Sequence, residues 1–318
     1  MKLIIFIFIA LSVVKPQTVK APENKIRTEI KYSGSQKIFE VKVYGNSGEL
    51  KFKIEKELPS KETAPYAVPV DNGGVILVDV LEGNAEFFNS EGIKVKSVSL
   101  FEGFPFAYER KVQTAASNGF VVFLVSQKER ENSVVKIFDV NGRLINEFEV
   151  KGTNGSGVEI LPDKKLIAIS TYYWRADDLI GNTSIFDFDG KPLMETPHKF
   201  DNGKFSQEGK YFLGFDKHKI FLLDTENKIT KWSRSFPENE FILVADFKNN
   251  KVITVTSTES VLENGVWYNK IAIVRESNLK GADEILTILN NKKFKKVNLI
   301  ITNNKITLVL DEAKFVVR

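Results

Sequence analysis

Along most of this chain apolar and polar residues alternate with period two, in short runs broken by Asn, Asp and Gly. The stretch from Val134 to Val150 shows the unit most plainly. An apolar run holding Val135 and Ile137 meets the turn Asn141-Gly142, and a second run puts Leu144, Phe148 and Val150 on one face. Side chains of a strand point alternately to its two faces, so the pattern predicts a strand, a tight turn and a returning strand. Asn and Gly accept the left-handed backbone that such a turn needs. The same phrase returns along the chain. Gly48, Gly92, Gly142 and Gly190 each follow an aromatic residue four positions earlier, at Tyr44, Phe88, Phe138 and Phe186. Asn227 with Leu223, and Gly281 with Ser277, give two weaker copies, and neighbouring anchors lie 37 to 54 residues apart.

Between copies lie two further strand-like runs rich in Val, Ile, Phe and Thr. They are Pro65–Val70 with Val75–Val80, Val112–Ser117 with Phe120–Ser126, Val158–Leu161 with Leu166–Thr171, Lys204–Ser206 with Tyr211–Phe215, and Ile242–Phe247 with Val252–Thr256. The order is strand a, turn, strand b, connection, strand c, turn, strand d, five times over. A repeat of this length with four strands is a propeller blade rather than a sandwich. Residues 37 to 56 give only a c–d pair, and Val297–Thr302 with Ile306–Leu310 give an a–b pair around Asn303-Asn304. The two ends are therefore expected to build one blade together and so remove a free sheet edge. Ile26–Tyr32 and Lys314–Val317 are also strand-like; they either extend that shared blade or belong to a seventh.

Hairpins such as Phe138-Asp139-Val140-Asn141-Gly142-Arg143-Leu144 and Phe186-Asp187-Phe188-Asp189-Gly190 resemble the inner phrase of the β-propeller superfamily, above all the secreted bacterial six-bladed kind, TolB-like and NHL-like. The resemblance implies an all-β fold: a six-bladed β-propeller of four-stranded antiparallel blades, its ring closed by the N- and C-terminal strands, with seven blades as the alternative. It singles out no family. The Trp-Asp dipeptide of WD repeats is absent, and only Lys231-Trp232 is similar to the docking motif of quinoprotein propellers.

The first 18 residues break the pattern. Lys2 precedes an apolar run from Leu3 to Val14, too short to span a bilayer and suited to a signal peptide. Residues 19–36 are polar and read as a tether, leaving 37–318 as a single propeller domain. The protein is thus expected to be exported, periplasmic or extracellular, with no membrane span after cleavage. It has no cysteine, hence no disulfide, which a core of this size does not require. The formal charge of +4 falls to +2 without Lys2 and Lys15, too little for a nucleic-acid surface.

Propellers carry the b–c and d–a connections on one face and the short a–b and c–d turns on the other. The connections here are long and uneven, which makes their face the expected binding surface. Three stretches stand out. One holds Phe104, Phe106, Tyr108 and Arg110; a second holds Tyr172, Tyr173, Trp174, Arg175, Asp177 and Asp178; a third holds Trp267 and Tyr268. Flat rings stack on sugars or peptide groups, and Arg and Asp add oriented hydrogen bonds. The same aromatics could instead plug the mouth of the ring or pack blade on blade. Asp177-Asp178 and the run Asp187-x-Asp189-Gly190 suggest calcium, but the second lacks the later Glu of a calcium loop and falls on a hairpin turn. Histidine occurs only at 198 and 218, without metal-ligand spacing; His198 lies on the expected face, where it could act as an acid or base. No Gly-x-Ser-x-Gly and no phosphate-cradling glycine loop is present; Asn154-Gly155-Ser156-Gly157 reads as a loose connection. These readings favour a non-enzymatic binding protein for a protein, peptide or glycan, with no cofactor and no metal ligands assigned. The alternatives are a calcium-dependent propeller hydrolase or lactonase, with the ion in the central channel, and a structural component of the cell envelope.

Overall fold

The computed structural model describes residues 27–317 apart from 34–36, 46, 59–64, 103–109, 128–129, 176–177, 264–265, 291–292 and 303–304. The signal-peptide reading of residues 1–18 and the first part of the tether lie outside the described residues.

The described residues form seven antiparallel sheets of three or four strands, in sequence order, and one further two-stranded hairpin. Sheet 1 has three strands, β1 (Arg27–Ser33), β2 (Ile38–Tyr44) and β3 (Leu50–Glu57). Sheet 2 contains β4 (Tyr66–Pro69), β5 (Val75–Asp79), β6 (Asn84–Phe88) and β7 (Lys94–Ser99). Sheet 3 contains β8 (Arg110–Ser117), β9 (Phe120–Gln127), β10 (Asn132–Asp139) and β11 (Leu144–Lys151). Sheet 4 contains β12 (Asn154–Leu161), β13 (Leu166–Arg175), β14 (Asp178–Asp187) and β15 (Pro192–Thr196). Sheet 5 contains β16 (Asn202–Phe205), β17 (Tyr211–Phe215), β18 (Lys219–Asp224) and β19 (Ile229–Ser235). Sheet 6 pairs β20 (Phe241–Lys248), β21 (Lys251–Ser257), β24 (Ala272–Asn278) and β25 (Asp283–Leu289), with a separate hairpin of β22 (Ser260–Glu263) and β23 (Val266–Asn269) inserted between b and c. Sheet 7 again has three strands, β26 (Val297–Ile301), β27 (Ile306–Leu310) and β28 (Ala313–Val316).

In sheets 2 to 6 the b strand is buried on both faces along most of its length, which explains its nearly unbroken apolar run; β5, Val-Ile-Leu-Val-Asp, is buried at every position. Period two then divides its residues between neighbours. Val75 and Leu77 pack with Phe39, Val41 and Val43 of sheet 1, whereas Ile76 and Val78 pack with Val121, Phe123 and Val125 of sheet 3. Further cores of the same kind join sheets 3 and 4, 4 and 5, 5 and 6, and 6 and 7. This is face-to-face packing of consecutive sheets, with the outer strands left polar and exposed.

The recurrent phrase has a structural counterpart. A β-bulge falls at the same place in the c–d hairpin of sheets 1 to 5, for example at Phe87/Phe88, Ile137/Phe138 and Ile185/Phe186, and two residues earlier, at Val274/Arg275, in sheet 6. An Asx side chain three residues before the glycine fixes the turn: Asp139 Oδ1 accepts from the amides of Asn141 and Arg143, each at 2.9 Å. Asn89, Asp187 and Asn278 do the same in their sheets. Gly190, at φ +83, also lies so close to the preceding blade that a Cβ would meet Phe148 at 2.8 Å. In sheet 5 the positive φ falls on Lys228, not on Asn227.

The ends depart from the expected shared blade. The bulge at Val43/Tyr44 marks β2–β3 as a c–d pair, yet β1 occupies the free edge of β2 over seven rungs. Likewise β28 takes the free edge of β27. Among the described residues no ladder joins sheet 1 to sheet 7. The strand-like segments set aside in the sequence each complete their own local sheet, and part of the stretch read as a tether is strand β1.

Candidate functional site

In antiparallel blades the a–b and c–d turns leave at one end, and the b–c and d–a connections at the other. The expected site residues that are described all belong to the second end. Phe104, Phe106, Tyr108 and Asp177 lie outside the described residues.

Tyr172 to Arg175, and Asp178 onward, are strand and not loop. Strands β13 and β14 continue their ladder outward through Tyr172↔Gly181, Tyr173↔Ile180, Trp174↔Leu179 and Arg175↔Asp178. Tyr, Trp and Thr are strong strand formers, and nothing between Thr171 and Arg175 interrupts them. The result is a hairpin that projects beyond the blade, with Trp174 64% and Leu179 43% exposed on its next-to-last rung. The stretch around Trp267 is likewise a hairpin, β22–β23, with Leu262↔Trp267 next to its last rung. Here Trp267 is 64% and Leu262 52% exposed. The chain's third tryptophan, Trp232, is only 8% exposed and packs between sheets 5 and 6.

The bases of both hairpins are held by residues that the sequence did not assign to the site: Lys111 drew no reading, and Lys295 belongs to the basic run Lys292 to Lys296, which reads as a solvated loop. The Tyr172 hydroxyl accepts from Lys111 Nζ at 3.1 Å, and the same ammonium donates to Asn154 Oδ1 at 3.1 Å. Lys199 Nζ lies 5.9 Å from the Tyr172 ring centre, and its stem fills the space over Gly181, where a Cβ would meet Lys199 Cβ at 2.5 Å. Lys295 Nζ sits 4.8 Å from the ring of Tyr268. Arg110, by contrast, is turned back into the blade. Its guanidinium covers the Phe101 ring at 4.6 Å and reaches toward the Leu81 carbonyl at 3.5 Å.

Buried hydroxyls pin the connections beneath. Ser126 Oγ accepts from the Gly155 amide at 2.7 Å, and Ser133 Oγ donates to the Gly152 carbonyl at 2.7 Å. Ser170 Oγ accepts from the Phe200 amide at 3.0 Å. The stretch read as a loose connection, Asn154 to Gly157, is the start of β12; its glycines are required because Leu124 and Phe200 press on them. Between sheets 5 and 6, Glu240, Thr256 and Arg275 form a buried hydrogen-bonded cluster, and Arg275 also lies over Phe236 at 5.7 Å. Glu240 and Arg275 look like ordinary surface charges in the sequence, and only the sheet packing reveals their pairing.

His198 is half-buried against Phe221, with ring centres 5.1 Å apart. Burial first, and the nearby Lys219 second, hold its pKa below the usual histidine value. It is therefore neutral at pH 7 and packed rather than presented. Asp187, part of the calcium-like run, spends its Oδ1 on the amides of Asp189 and Lys191 at 3.1 and 2.8 Å. Among the described residues no three His, Cys, Asp or Glu side chains converge as a metal site would require. What this end of the molecule does offer is exposed rings on paired strands with ammonium groups at their bases, a chemistry of contact.

No protein-family model matches the chain, and no curated protein sequence does. Solved structures do. The chain is similar to the Dos1 propeller at 14% identity and TM-score 0.55, over 89% of this chain and 74% of that one. It is similar to the C-terminal WD40 domain of Sif2 at 11% identity and TM-score 0.56, over 92% and 80%. A chain of a mitotic checkpoint complex matches at 9% identity and TM-score 0.56, over 99% and 97%. No helix among the described residues is long and apolar enough to cross a membrane. Seven sheets packed face to face in sequence order, a bulged c–d hairpin repeated in six of them, and these likenesses show that the chain has the β-propeller fold.

Proposed function

We propose that this protein is an exported binding module that holds a protein, peptide or glycan on its b–c and d–a face, in the periplasm or outside the cell. One observation carries the reading. Two of three tryptophans stand on projecting hairpins at that face, each beside an exposed leucine, while the third is buried. Exposed rings of this size, held on a rigid scaffold, are the residues most enriched where binding energy concentrates. A similar fold occurs within a mitotic checkpoint complex, in keeping with a scaffold for interaction. Export rests on the basic and apolar start of the chain.

The test is capture of partners from a cell-envelope extract by the wild type and by Trp174→Ala, Trp267→Ala and the double variant. Capture falls at least about tenfold in the double variant, as expected for loss of interface anchors, while the melting temperature stays put. Undiminished capture by a folded double variant would overturn the reading.

A further inference from the structure

A closed ring of seven sheets has seven junctions, and the structure supplies apolar cores for six of them. Among the described residues no apolar cluster and no ladder joins sheet 7 to sheet 1. The two surfaces at that seam explain why. In sheet 1, Phe39, Val41 and Val43 turn toward sheet 2, so the alternate residues of β2 turn the other way. The register gathers Glu29 and Lys31 of β1, Glu40 and Lys42 of β2, and Lys53 and Glu55 of β3 on that far face. These charges largely satisfy one another. Lys42 Nζ lies 3.1 Å from Glu40, Lys53 Nζ lies 2.8 Å from Glu55 and 3.6 Å from Glu40, and the Tyr44 hydroxyl donates to Glu29 at 3.0 Å. In sheet 7, Leu299, Leu308 and Leu310 pack toward sheet 6. Its far face carries Ile300, Val309 and Val316, with Asn298 and Lys314 among them, and both Ile300 and Val316 are exposed.

We infer that the propeller works as a clasp, opening and shutting at the seam between sheets 7 and 1. Shutting it sets a face of mutually paired charges against a face of aliphatic side chains. The charges lose water there and meet one new ammonium, that of Lys314, which opposes burial. The aliphatics find only partial shelter, because the opposing wall is itself hydrated. At the other six junctions apolar side chains from both sheets leave water together, which is what drives association. Each neighbouring pair from sheet 1 round to sheet 7 is therefore tied by a core, and the seam is left to close by weak contact alone. Small sliding shifts at the tied junctions add up along such a ring, so its two ends move most. The inference goes beyond the binding-face reading and is separable from it, because Trp174 and Trp267 stand on hairpins of sheets 4 and 6, neither of which borders the seam.

The chain has no cysteine, so a pair of introduced ones takes spin labels at known places. Double electron–electron resonance then compares Glu57→Cys/Glu312→Cys, across the seam, with Ser233→Cys/Ile285→Cys, across the core that joins sheets 5 and 6. All four native side chains are exposed. The seam pair should give a distance distribution at least about twice as wide as the control pair, or two populations. Hydrogen exchange on the unlabelled protein reads the same motion. Strands β2 and β27 have a partner strand on each side, as β9 and β17 do, so fraying of a sheet edge does not enter the comparison. Amides of β2 and β27 should nonetheless exchange at least about tenfold faster than those of β9 and β17. A seam distribution as narrow as the control, or equal protection of all four strands, would overturn the inference. Should labelling lower the melting temperature, exchange on the unlabelled protein decides.

Discussion

Removing Arg275 is expected to cost far more than removing the pair it belongs to. Arg275 and Glu240 are 9% and 8% exposed, and both also bond to Thr256. In Arg275→Met the methionine keeps the apolar contact with Phe236, but Glu240 is left as a buried carboxylate without its cation. Breaking a buried ion pair in this way costs about 3–5 kcal/mol, whereas replacing both partners by apolar groups of similar volume is near neutral. With an unfolding entropy of about 2.1 cal/mol/K per residue, a chain of this length loses roughly 1.5 °C per kcal/mol. The single variant should therefore melt about 4–8 °C lower. The double variant Glu240→Leu/Arg275→Met should recover most of that loss. Calorimetry on the three proteins provides the comparison. A single variant within 1 °C of wild type, or a double variant as unstable as the single, would refute the assignment of a dehydrated pair joining sheets 5 and 6.

Three further perturbations bear on the repeat and on the face. Gly190→Ala forces an L side chain to φ +83 against Phe148, and should cost about 2–4 kcal/mol in chemical denaturation; an unchanged midpoint would contradict the close approach of the blades. Asp187→Ala strands two turn amides and should cost about 1–2 kcal/mol, whereas Asp187→Asn, which keeps the accepting oxygen as Asn89 and Asn278 do, should cost little. His198 has its pKa held down in the folded state, so the unfolded chain binds the extra proton. Its contribution to stability is present above about pH 6.5 and is lost as pH falls from there toward the folded value. Melting temperature measured from pH 5 to 8 should show that limb in the wild type and a shallower one in His198→Phe; identical profiles would dismiss this role for the half-buried imidazole.

The c–d hairpins were legible because everything that makes them is local: a strand, an Asx, a glycine and an aromatic within six residues. The b strands were legible because burial on both faces leaves an unbroken apolar run. The two projecting hairpins were misread as loops for opposite reasons. At Tyr172 to Asp178 a ladder runs on past the blade, and a strand long enough to protrude looks no different in sequence from one that stops. At Glu263 to Tyr268 the Asn264-Gly265 signal, already used elsewhere in the chain, was present and marks a hairpin of its own. The lysines at their bases could not be found by spacing, since Lys111 and Tyr172 stand 61 residues apart and meet only when sheets 3 and 4 pack. The terminal sheets went astray because edge pairing is a contest between neighbours. β1 and β28 win the free edges of β2 and β27 at short range, before the distant ends can pair.

Oxidative footprinting of the tryptophans tests the account most directly. In the free protein Trp174 and Trp267 should react fast and Trp232 slowly, in line with their exposure. On incubation with the envelope extract both fast sites should become protected together, while Leu50 and Leu144, beside the c–d turns at the other end, keep their reactivity. Protection at Leu50 and Leu144 with both tryptophans still reactive would place the binding surface on the wrong face of the propeller.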